Sequence, residues 1–468
     1  MAGTMELARY KPYQCDHLFL LIGANPLPNY VAARLLTRPG GQLHLLASSR
    51  EGQVGGTVRV AESILHQLPD RTGRIMSLAD VSDARRIERE LEEYVQGLGI
   101  PAGSRVGLHY TGGTKPMSVH SHETLQRWCA GCGLTYQFSY LDPRQLAFRF
   151  ANGIKEPIRP EDFTDPPFSL AALVELHGWQ IEECDDEPVL PDLCHRLAHG
   201  LGSDLDKFKE WRQWCDWNIR TWSGPNQWAR YDWPGFKEAN ASSALVSWLE
   251  EDLGNMKAVE TLLQWVQTNQ LRSKSAELAT IRPPAILSDA PTLADVLAQL
   301  APDIDWPDNN RRLGRLSAFL DGFWLENYVL GCIINIRNAF EEANEEQLHP
   351  IQEVYRGLKV TRAGTNATEF ELDVAALKGY QLFAISCTTS LVKEQNKKRL
   401  FEAYTRARQM GGDEARVALI GGYANTALLL QEVNEEWLAP QDVIRVFGPQ
   451  DWPALETKLA EWFNWQPV

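Results

Sequence analysis

Several features that would place the chain in a membrane or outside the cell are missing from its sequence. It contains no run of about 18 uncharged apolar residues, the length that a membrane-spanning helix needs. Its N-terminus, MAGTMELARYKPYQCDH, lacks the basic-then-apolar order of a signal peptide. We therefore expect a cytoplasmic protein without a membrane partner.

Cysteines are few and scattered. The chain has eight, at positions 15, 129, 132, 184, 194, 215, 332 and 387, and a large intracellular protein gives no reason to pair them. Only Cys129 and Cys132 have the spacing of metal ligands, and no second Cys-x-x-Cys pair accompanies them. We interpret these two as buried thiols rather than as zinc ligands.

Positive charge is also scarce. Lys and Arg number 46 against 61 Asp and Glu, and the formal charge of −15 excludes a protein that coats nucleic acid non-specifically. A local basic site remains compatible with this charge, because bases outnumber acids between Lys393 and Arg416. That segment is either a source of phosphate contacts or the solvated face of a helix.

The length of the chain predicts more than one domain. At 468 residues it exceeds what one hydrophobic core usually serves, and its 44% hydrophobic and 23% charged residues are typical of globular proteins. We expect an α/β protein in three parts: a Rossmann-like domain over residues 1–155, a helical, tryptophan-rich region over 156–310, and a second α/β domain over 311–468.

The middle region is distinguished by tryptophans at positions 211, 214, 217, 222, 228 and 233. Their helical spacing is typical of core packing, and platforms for nucleobase stacking are the alternative. The Pro- and Asp-rich segment 281–308 then predicts a connection into the third part.

Strand-like and helix-like segments alternate in the first 150 residues. The apolar run LFLLI ends in the loop GANPLPN at 23–29, and the run VGLHY ends in TGGTKPM at 111–117. This rhythm predicts a parallel sheet with a ligand at its carboxyl edge, where the glycine loop directs N–H groups at an anion. No G-x-G-x-x-G follows the first strand, and no acid ends the second at Ser48-Ser49, which argues against an ordinary dinucleotide-binding domain.

The loops GANPLPN and TGGTKPM resemble those of the CARF fold, the CRISPR-associated Rossmann-like domain that senses cyclic oligoadenylates. The resemblance implies a homodimer that shares one ring on its two-fold axis, and cyclic tetra-adenylate is our choice of activator because a four-fold ring suits a two-fold site. It also implies ligand-binding roles for Gly23, Asn25, Leu27, Pro28, Ser48, Ser49, Thr111, Gly112, Gly113, Thr114, Lys115 and Met117.

In the third part, the stretch FELDVAALKGYQLFAISCTTS predicts two strands around a Lys378-Gly379 turn. Together with the helical GFWLE that ends at Glu326, it resembles the restriction-endonuclease-like domains of PD-(D/E)xK chemistry that are fused to CARF domains. The resemblance implies that Glu326, Glu371 and Asp373 are catalytic and hold Mn²⁺ or Mg²⁺, cations that prefer oxygen ligands.

The sequence departs from this family where an acidic-x-Lys motif is expected. It has Ser386-Cys387-Thr388, and strand alternation places Ser386 and Thr388 on one face as candidate catalytic hydroxyls. A hydroxyl can orient water but carries no positive charge. We therefore predict a migrated lysine on the following helix, with Lys397 favoured and Lys398 as the alternative.

These features predict a cyclic-tetra-adenylate-activated, metal-dependent endonuclease that cleaves DNA and/or single-stranded RNA in type III CRISPR antiviral defence. The alternative is a cyclic-oligoadenylate-sensing, nucleic-acid-binding regulator with an inactive nuclease fold. A third hypothesis is that the sensor cleaves its own ring, with Thr114 and Lys115 positioning a ribose 2′-hydroxyl.

Overall fold

The computed structural model describes residues 7–49, 56–218, 221–223, 228–230, 318–343, 351–362, 368–437 and 443–464. Trp233 and the segment 281–308, which the sequence marks as a connection, lie outside the described residues. In the described part, no helix combines the length and the apolar character needed to cross a bilayer.

The N-terminal part is built on a seven-stranded sheet in the order β3-β2-β1-β4-β5-β6-β7. Its first five members in this order pair in parallel, and the last two add an antiparallel extension. The strands are β1 (Cys15–Leu21), β2 (Thr37–Ser48), β3 (Thr72–Leu78), β4 (Arg105–His109), β5 (Thr135–Asp142), β6 (Ala147–Phe150) and β7 (Lys155–Pro157).

Helices connect these parallel strands, as the alternating sequence pattern predicts. They are α1 (Leu27–Leu36), α2 (Val58–His66), α3 (Ala84–Gln96) and α4 (Lys115–Gly131). Local sequence fixes where two of them begin: the side chain of Asp83 accepts the first N–H groups of α3, and Thr114 accepts the N–H of Met117 in α4. The predicted Rossmann-like architecture is confirmed.

The described middle region supplies α5 (Leu170–Leu176), β8 (Trp179–Asp185), α6 (Pro191–Gly202), α7 (Leu205–Asn218) and the short pair β9 (Thr221–Ser223) and β10 (Trp228–Arg230). The C-terminal part supplies α8 (Trp324–Ala343), β11 (Glu353–Arg362), β12 (Thr368–Lys378), β13 (Gln381–Thr388), α9 (Lys393–Gly411), β14 (Arg416–Gly421), α10 (Thr426–Trp437), β15 (Ile444–Phe447) and α11 (Leu455–Asn464).

The second sheet has six strands in the order β15-β14-β13-β12-β11-β8. Strands β13, β14 and β15 are parallel, with α9 as the crossover between β13 and β14, and the other pairs are antiparallel. The edge strand β8 lies in the region that the sequence predicts as helical. It forms a strand there because most side chains of WQIEECD alternate between half-buried and exposed, as in an edge strand. The predicted domain limits stay predictions, but this strand belongs to the C-terminal sheet.

The predicted hairpin is confirmed as β12 and β13, which close on each other at Lys378 and Gln381. Gly379 has a φ of +65°, a conformation that glycine adopts without strain. The Gln352 side chain holds this turn: its Oε1 accepts the N–H of Gly379 at 2.5 Å, and its Nε2 donates to the Gly379 carbonyl at 3.2 Å.

The two sheets share a hydrophobic core. Leu27 and Val31 of α1 belong to the same buried cluster as Leu372 of β12 and Met410 of α9, so the N-terminal helices pack against the C-terminal part.

Trp211 is 1% exposed and packs in a second cluster with Trp324 and Trp452, which agrees with the core interpretation of the tryptophans. The side chains at positions 214, 217, 222 and 228 lie outside the described set. Of the Cys-x-x-Cys pair, Cys129 is buried as expected, whereas Cys132 is exposed, because it follows the last turn of α4.

Candidate active site and sensor edge

Three acidic side chains converge where the first half of β12 approaches α8. Glu326 lies in the first turn of α8, and Glu371 and Asp373 lie on β12. Burial raises the pKa of Glu326 well above its ordinary value, and the negative charges of Asp373 and Glu371 raise it further. The structure thus places the three residues that the sequence predicts as metal ligands within electrostatic range of one another, with carboxylate oxygens that do not all lie within 4.8 Å of each other.

Asp373 lies where β12 separates from β13. The two strands pair as far as Val374 and Ile385, and beyond that point the Asp373 carboxylate replaces a backbone acceptor. Its Oδ2 accepts the N–H of Cys387 at 2.7 Å and the hydroxyl of Ser386 at 2.9 Å. In the described part of the chain, no hydrogen bond reaches Oδ1, so the carboxylate is fixed in position with one oxygen still available.

The two candidate hydroxyls have different surroundings. Ser386 orients the Asp373 carboxylate directly, as its hydrogen bond shows. Thr388 Oγ1 instead accepts the N–H of Ser390 at 3.3 Å, in the loop that leads to α9. The described contacts therefore connect Ser386 to the acidic cluster and Thr388 to the loop.

A buried ion pair fixes the turn that precedes Glu326. The π-helical turn Phe319–Phe323 leads into α8, and the Asp321 carbonyl in it accepts from Arg212 Nη1 at 2.6 Å and from Thr389 Oγ1 at 2.8 Å. Arg212 Nη1 also lies 2.9 Å from Asp321 Oδ1, and both side chains are 3% exposed. The start of α8 is thereby tied to α7 and to the end of β13.

The acidic cluster suits a hard divalent cation. Glu326 Oε2 is buried and has no hydrogen-bond partner among the described residues. Such an oxygen costs folding free energy unless a partner satisfies it, and Mn²⁺ and Mg²⁺ bind carboxylate oxygens. Glu326, Glu371 and Asp373 are the residues that would hold the cation.

Lys397 lies outside this cluster. Its Nζ is 2.6 Å from Glu436 Oε1 and 3.8 Å from Glu432 Oε2, both on α10. Lys398 is 77% exposed, and its nearest described acid is Glu402, at 3.9 Å. The geometry does not support the catalytic role that the sequence predicts for Lys397, because this lysine extends towards α10 and already has two anionic partners.

The carboxyl edge of the first sheet carries most of the predicted ligand-binding residues. Gly23 follows β1, Ser48 ends β2, and Thr111 begins the loop after β4. Lys115 is exposed at the N-terminus of α4, where helix N–H groups favour an anion. Exposed or half-buried at this edge are Gly23, Asn25, Ser48, Ser49, Thr111, Gly112, Gly113, Thr114 and Lys115.

Three of the predicted ligand-binding side chains lie in the core instead. Leu27 and Pro28 are buried in the first turn of α1, and Met117, on the buried side of α4, is 1% exposed. The sequence places them next to the loops but does not show that their helices turn them inwards. The structure therefore does not support direct ligand contact by these three side chains, which pack in the core beneath the loops.

The loops after β1 and β4 depend on each other through Gly112. A Cβ on this residue would overlap the Leu21 carbonyl and would lie 2.9 Å from Gly23 N. The same carbonyl accepts the buried Asn29 side-chain N–H at 2.9 Å. The loops after β1 and β4 therefore approach so closely that only glycine fits.

One contact of the carboxyl edge of the first sheet was not indicated by the sequence. Asn25 reaches the C-terminal part, where its amide fills the space beside Gly412, just beyond the end of α9. Glu414 Oε2 lies in the same place, 2.8 Å from where a Gly412 Cβ would be. No local pattern links position 25 with position 412, and only the shared core brings them together.

Among solved structures, two that cover nearly the whole chain have the same fold. The protein VC1899 from Vibrio cholerae is 13% identical, with a TM-score of 0.57 over 96% of this chain and 98% of its own. Can2 from Sulfobacillus thermosulfidooxidans, solved in complex with cyclic tetra-adenylate, is 13% identical, with a TM-score of 0.56 over 96% and 99%. A type III CRISPR defence DNA nuclease activated by cyclic oligoadenylate is 14% identical, with a TM-score of 0.42 over 87% and 45%.

No curated protein matches the sequence. A family model does match, over residues 315–466, and it is described as "Card1-like, endonuclease domain". This match and the fold shared with Can2 confirm the resemblance that the sequence motifs indicate. The C-terminal part of this chain is thus similar to Card1-like endonuclease domains over residues 315–466.

Proposed function

We propose that the protein is a metal-dependent endonuclease activated by cyclic tetra-adenylate, which acts as a cytoplasmic homodimer on DNA and/or single-stranded RNA in type III CRISPR antiviral defence. The observation that carries this proposal is the convergence of Glu326, Glu371 and Asp373 within an endonuclease domain. The complex of Can2 with cyclic tetra-adenylate supports the choice of activator.

The acidic cluster provides the chemistry of phosphodiester hydrolysis. Mn²⁺ or Mg²⁺ bound there would polarise the phosphate and lower the pKa of a coordinated water. Asp373 is held for this role because Ser386 and the Cys387 N–H fix its Oδ2. Glu326 is held because the turn before it is tied to Arg212 and Thr389.

The sensor edge provides a site for a ring of phosphates. Gly112 and Gly113 allow close approach of an oxygen to the backbone, and Lys115 adds a positive charge at the N-terminus of α4. A four-fold ring on the two-fold axis of a homodimer would meet two such edges. Activation then requires that the ring bind the active arrangement more tightly than the resting one.

Cleavage assays test the proposal. Supercoiled plasmid and end-labelled single-stranded RNA are incubated with Mn²⁺, with and without cyclic tetra-adenylate, and EDTA is added in a parallel series. We expect cleavage only when the ring and the metal are both present. The variant Asp373→Asn should lose activity while it keeps an acceptor for the Cys387 N–H and so remains folded.

Glu369→Gln is the matched control, because Glu369 is an exposed acid on the same strand, 3.4 Å from Arg362. It should cleave as the wild type does. Calorimetry with cyclic tri-, tetra- and hexa-adenylate tests the ring size separately, and failure of the tetra-adenylate to bind would refute that choice. Ligand-dependent retention of nucleic acid without cleavage in either metal would instead favour the regulator.

A further inference from the structure

The acidic cluster needs a positive charge that the motif does not provide. Three carboxylates repel the scissile phosphate of a nucleic acid, and charge that develops on that phosphate during hydrolysis is stabilised by a fixed cation. Ser386 and Thr388 carry hydroxyls where an acid and a lysine, respectively, would be expected. The question is which described basic residue borders the cluster with its charge still available.

The basic residues of α9 divide between two sides of the helix. Lys393 and Lys397 extend to α10, where Lys393 Nζ lies 2.9 Å from Glu432 and Lys397 Nζ 2.6 Å from Glu436. Each residue advances about 100° around an α-helix, so Arg399 projects about 200° away from Lys397. It therefore lies on the side of α9 that turns away from α10.

That side of α9 runs along the acid-bearing half of β12. Arg406 is two turns after Arg399 on the same side, and its guanidinium carbon lies 4.9 Å from the centre of the Phe370 ring. Phe370 directly precedes Glu371 on the strand. Adjacent side chains on a strand point to opposite faces, so the contact places this side of the helix beside the acid-bearing half of β12 without showing contact with the acids themselves.

The electrostatics of the cluster agree with this geometry. Burial raises the pKa of Asp373, and the positive charge of Arg399 is the largest influence that opposes this rise. The same charge acts in the same direction on the pKa of Glu326 and of Glu371. Arg399 therefore lies within electrostatic range of all three acids.

Two other cations near the cluster are already engaged. Arg356 is buried, forms an ion pair with Asp185 and stacks over the Phe323 ring. Lys359 Nζ lies 2.6 Å from Glu183 on the neighbouring strand. Arg399 is exposed, and within the described ranges it forms no hydrogen bond or salt bridge.

We propose that Arg399 is the catalytic cation of the nuclease site and contacts the scissile phosphate from the α9 side, an inference that rests on the proposed nuclease function. A guanidinium suits this task because its planar array of donors can bind two phosphate oxygens at once and its charge persists at any physiological pH. The hydroxyls of β13 then need to supply only orientation, as Ser386 does for Asp373.

The test compares cleavage by Arg399→Ala, Arg399→Lys and Lys397→Ala with that of the wild type, in Mn²⁺ and cyclic tetra-adenylate. Arg399→Ala should lower kcat by about 100-fold, the loss typical for removal of one group that stabilises the transition state. Arg399→Lys should recover part of kcat because it restores the charge without the two-point contact. Arg408→Ala, on the same helix beside Asp413, should stay within two-fold of the wild type.

A second readout does not depend on cleavage. In calorimetric titrations with Mn²⁺ alone, Arg399→Ala should bind the metal a few-fold more tightly than the wild type, because a nearby positive charge has been removed from the carboxylates. Weaker Mn²⁺ binding would show that Arg399 only maintains the shape of the site and would overturn the inference.

The outcomes separate the two proposals. If the wild type cleaves and Arg399→Ala keeps its kcat within two-fold, the inference is overturned and the nuclease function stands. A loss in Lys397→Ala as large as that in Arg399→Ala would also overturn it. A wild type that binds no Mn²⁺ and cleaves neither nucleic acid would overturn the proposed function, and the inference with it.

Discussion

The substitution Gly112→Ala tests how the two sensor loops support each other. A methyl group at this position would overlap the Leu21 carbonyl, and it would lie 2.9 Å from Gly23 N and 2.8 Å from Asn29 Nδ2. Two of these three atoms belong to the backbone, so rotation of a side chain cannot relieve the overlap. The loop after β4 has to move away from the loop after β1.

The expected cost follows from the contacts that are lost. Displacement of the Leu21 carbonyl breaks its buried hydrogen bond with Asn29 Nδ2, which costs about 1–3 kcal/mol. Overpacking of a tight site adds about 1–3 kcal/mol. We therefore expect the free energy of unfolding to fall by about 2–6 kcal/mol. Affinity for cyclic tetra-adenylate should fall at least ten-fold.

Urea titration measures the stability, and calorimetry with cyclic tetra-adenylate measures the affinity. The control is Gly131→Ala at the last residue of α4, where nothing lies within 4 Å of the added Cβ. This variant should be as stable as the wild type or slightly more so, with unchanged affinity. If Gly112→Ala unfolds at the wild-type urea concentration and binds the ring equally well, the close approach of the two loops is refuted.

Three further predictions follow from buried charge and from the contact between the two parts. Glu326→Gln should raise the metal-free Tm by about 1 °C, equivalent to about 1 kcal/mol for a chain of this length, and should abolish the rise that Mn²⁺ causes in the wild type; a fall in Tm would contradict this. Burial lowers the pKa of His109 from 6.5 to about 3, so the unfolded chain takes up the proton first, and the contribution of this residue to stability should fall by about 3 kcal/mol between pH 6.5 and pH 4. His109→Gln should reduce the fall that urea titrations measure over this range by that amount. Gly412→Ala should displace Asn25 and weaken activation by the ring more than Gly153→Ala, which has a similar positive φ but open space around it.

Much of the local structure follows directly from the sequence. The turn at Lys378-Gly379 is predicted because glycine there separates two apolar runs, and β12 and β13 close at that point. The loops at Gly23 and Gly112 are predicted because each follows an apolar strand and precedes a helix, and both lie at the carboxyl edge of a parallel sheet. Patterns of this kind reflect local backbone preferences, which a single sequence carries.

The orientations of Lys397, Leu27 and Met117 depend on tertiary packing instead. Lys397 and Arg399 are two positions apart in a basic segment, and only the partners on α10 show that the lysine turns away from the acids. Leu27 and Met117 are adjacent to exposed loop residues, and only the position of the core shows that they are buried. Strand β8 is separated from β11 by more than 160 residues of sequence, so no local pattern indicates their pairing.

Helix α9 links the contact between Gly412 and Asn25 with Arg399. Gly412 lies against Asn25 just beyond its C-terminal end, and Arg399 lies 13 positions earlier, about 20 Å along the axis. Its buried residues Leu400 and Met410 share a core with α1, which begins directly after the Asn25 loop. A hydrogen-bonded helix moves as a unit, so a shift of that loop on ring binding would carry Arg399 with it. We therefore expect the ring to change kcat and, because the Arg399 charge moves relative to the acids, to change Mn²⁺ affinity by no more than the few-fold effect of Arg399→Ala, measured by calorimetry with and without cyclic tetra-adenylate; a larger ring-dependent change would place the switch at the acids instead.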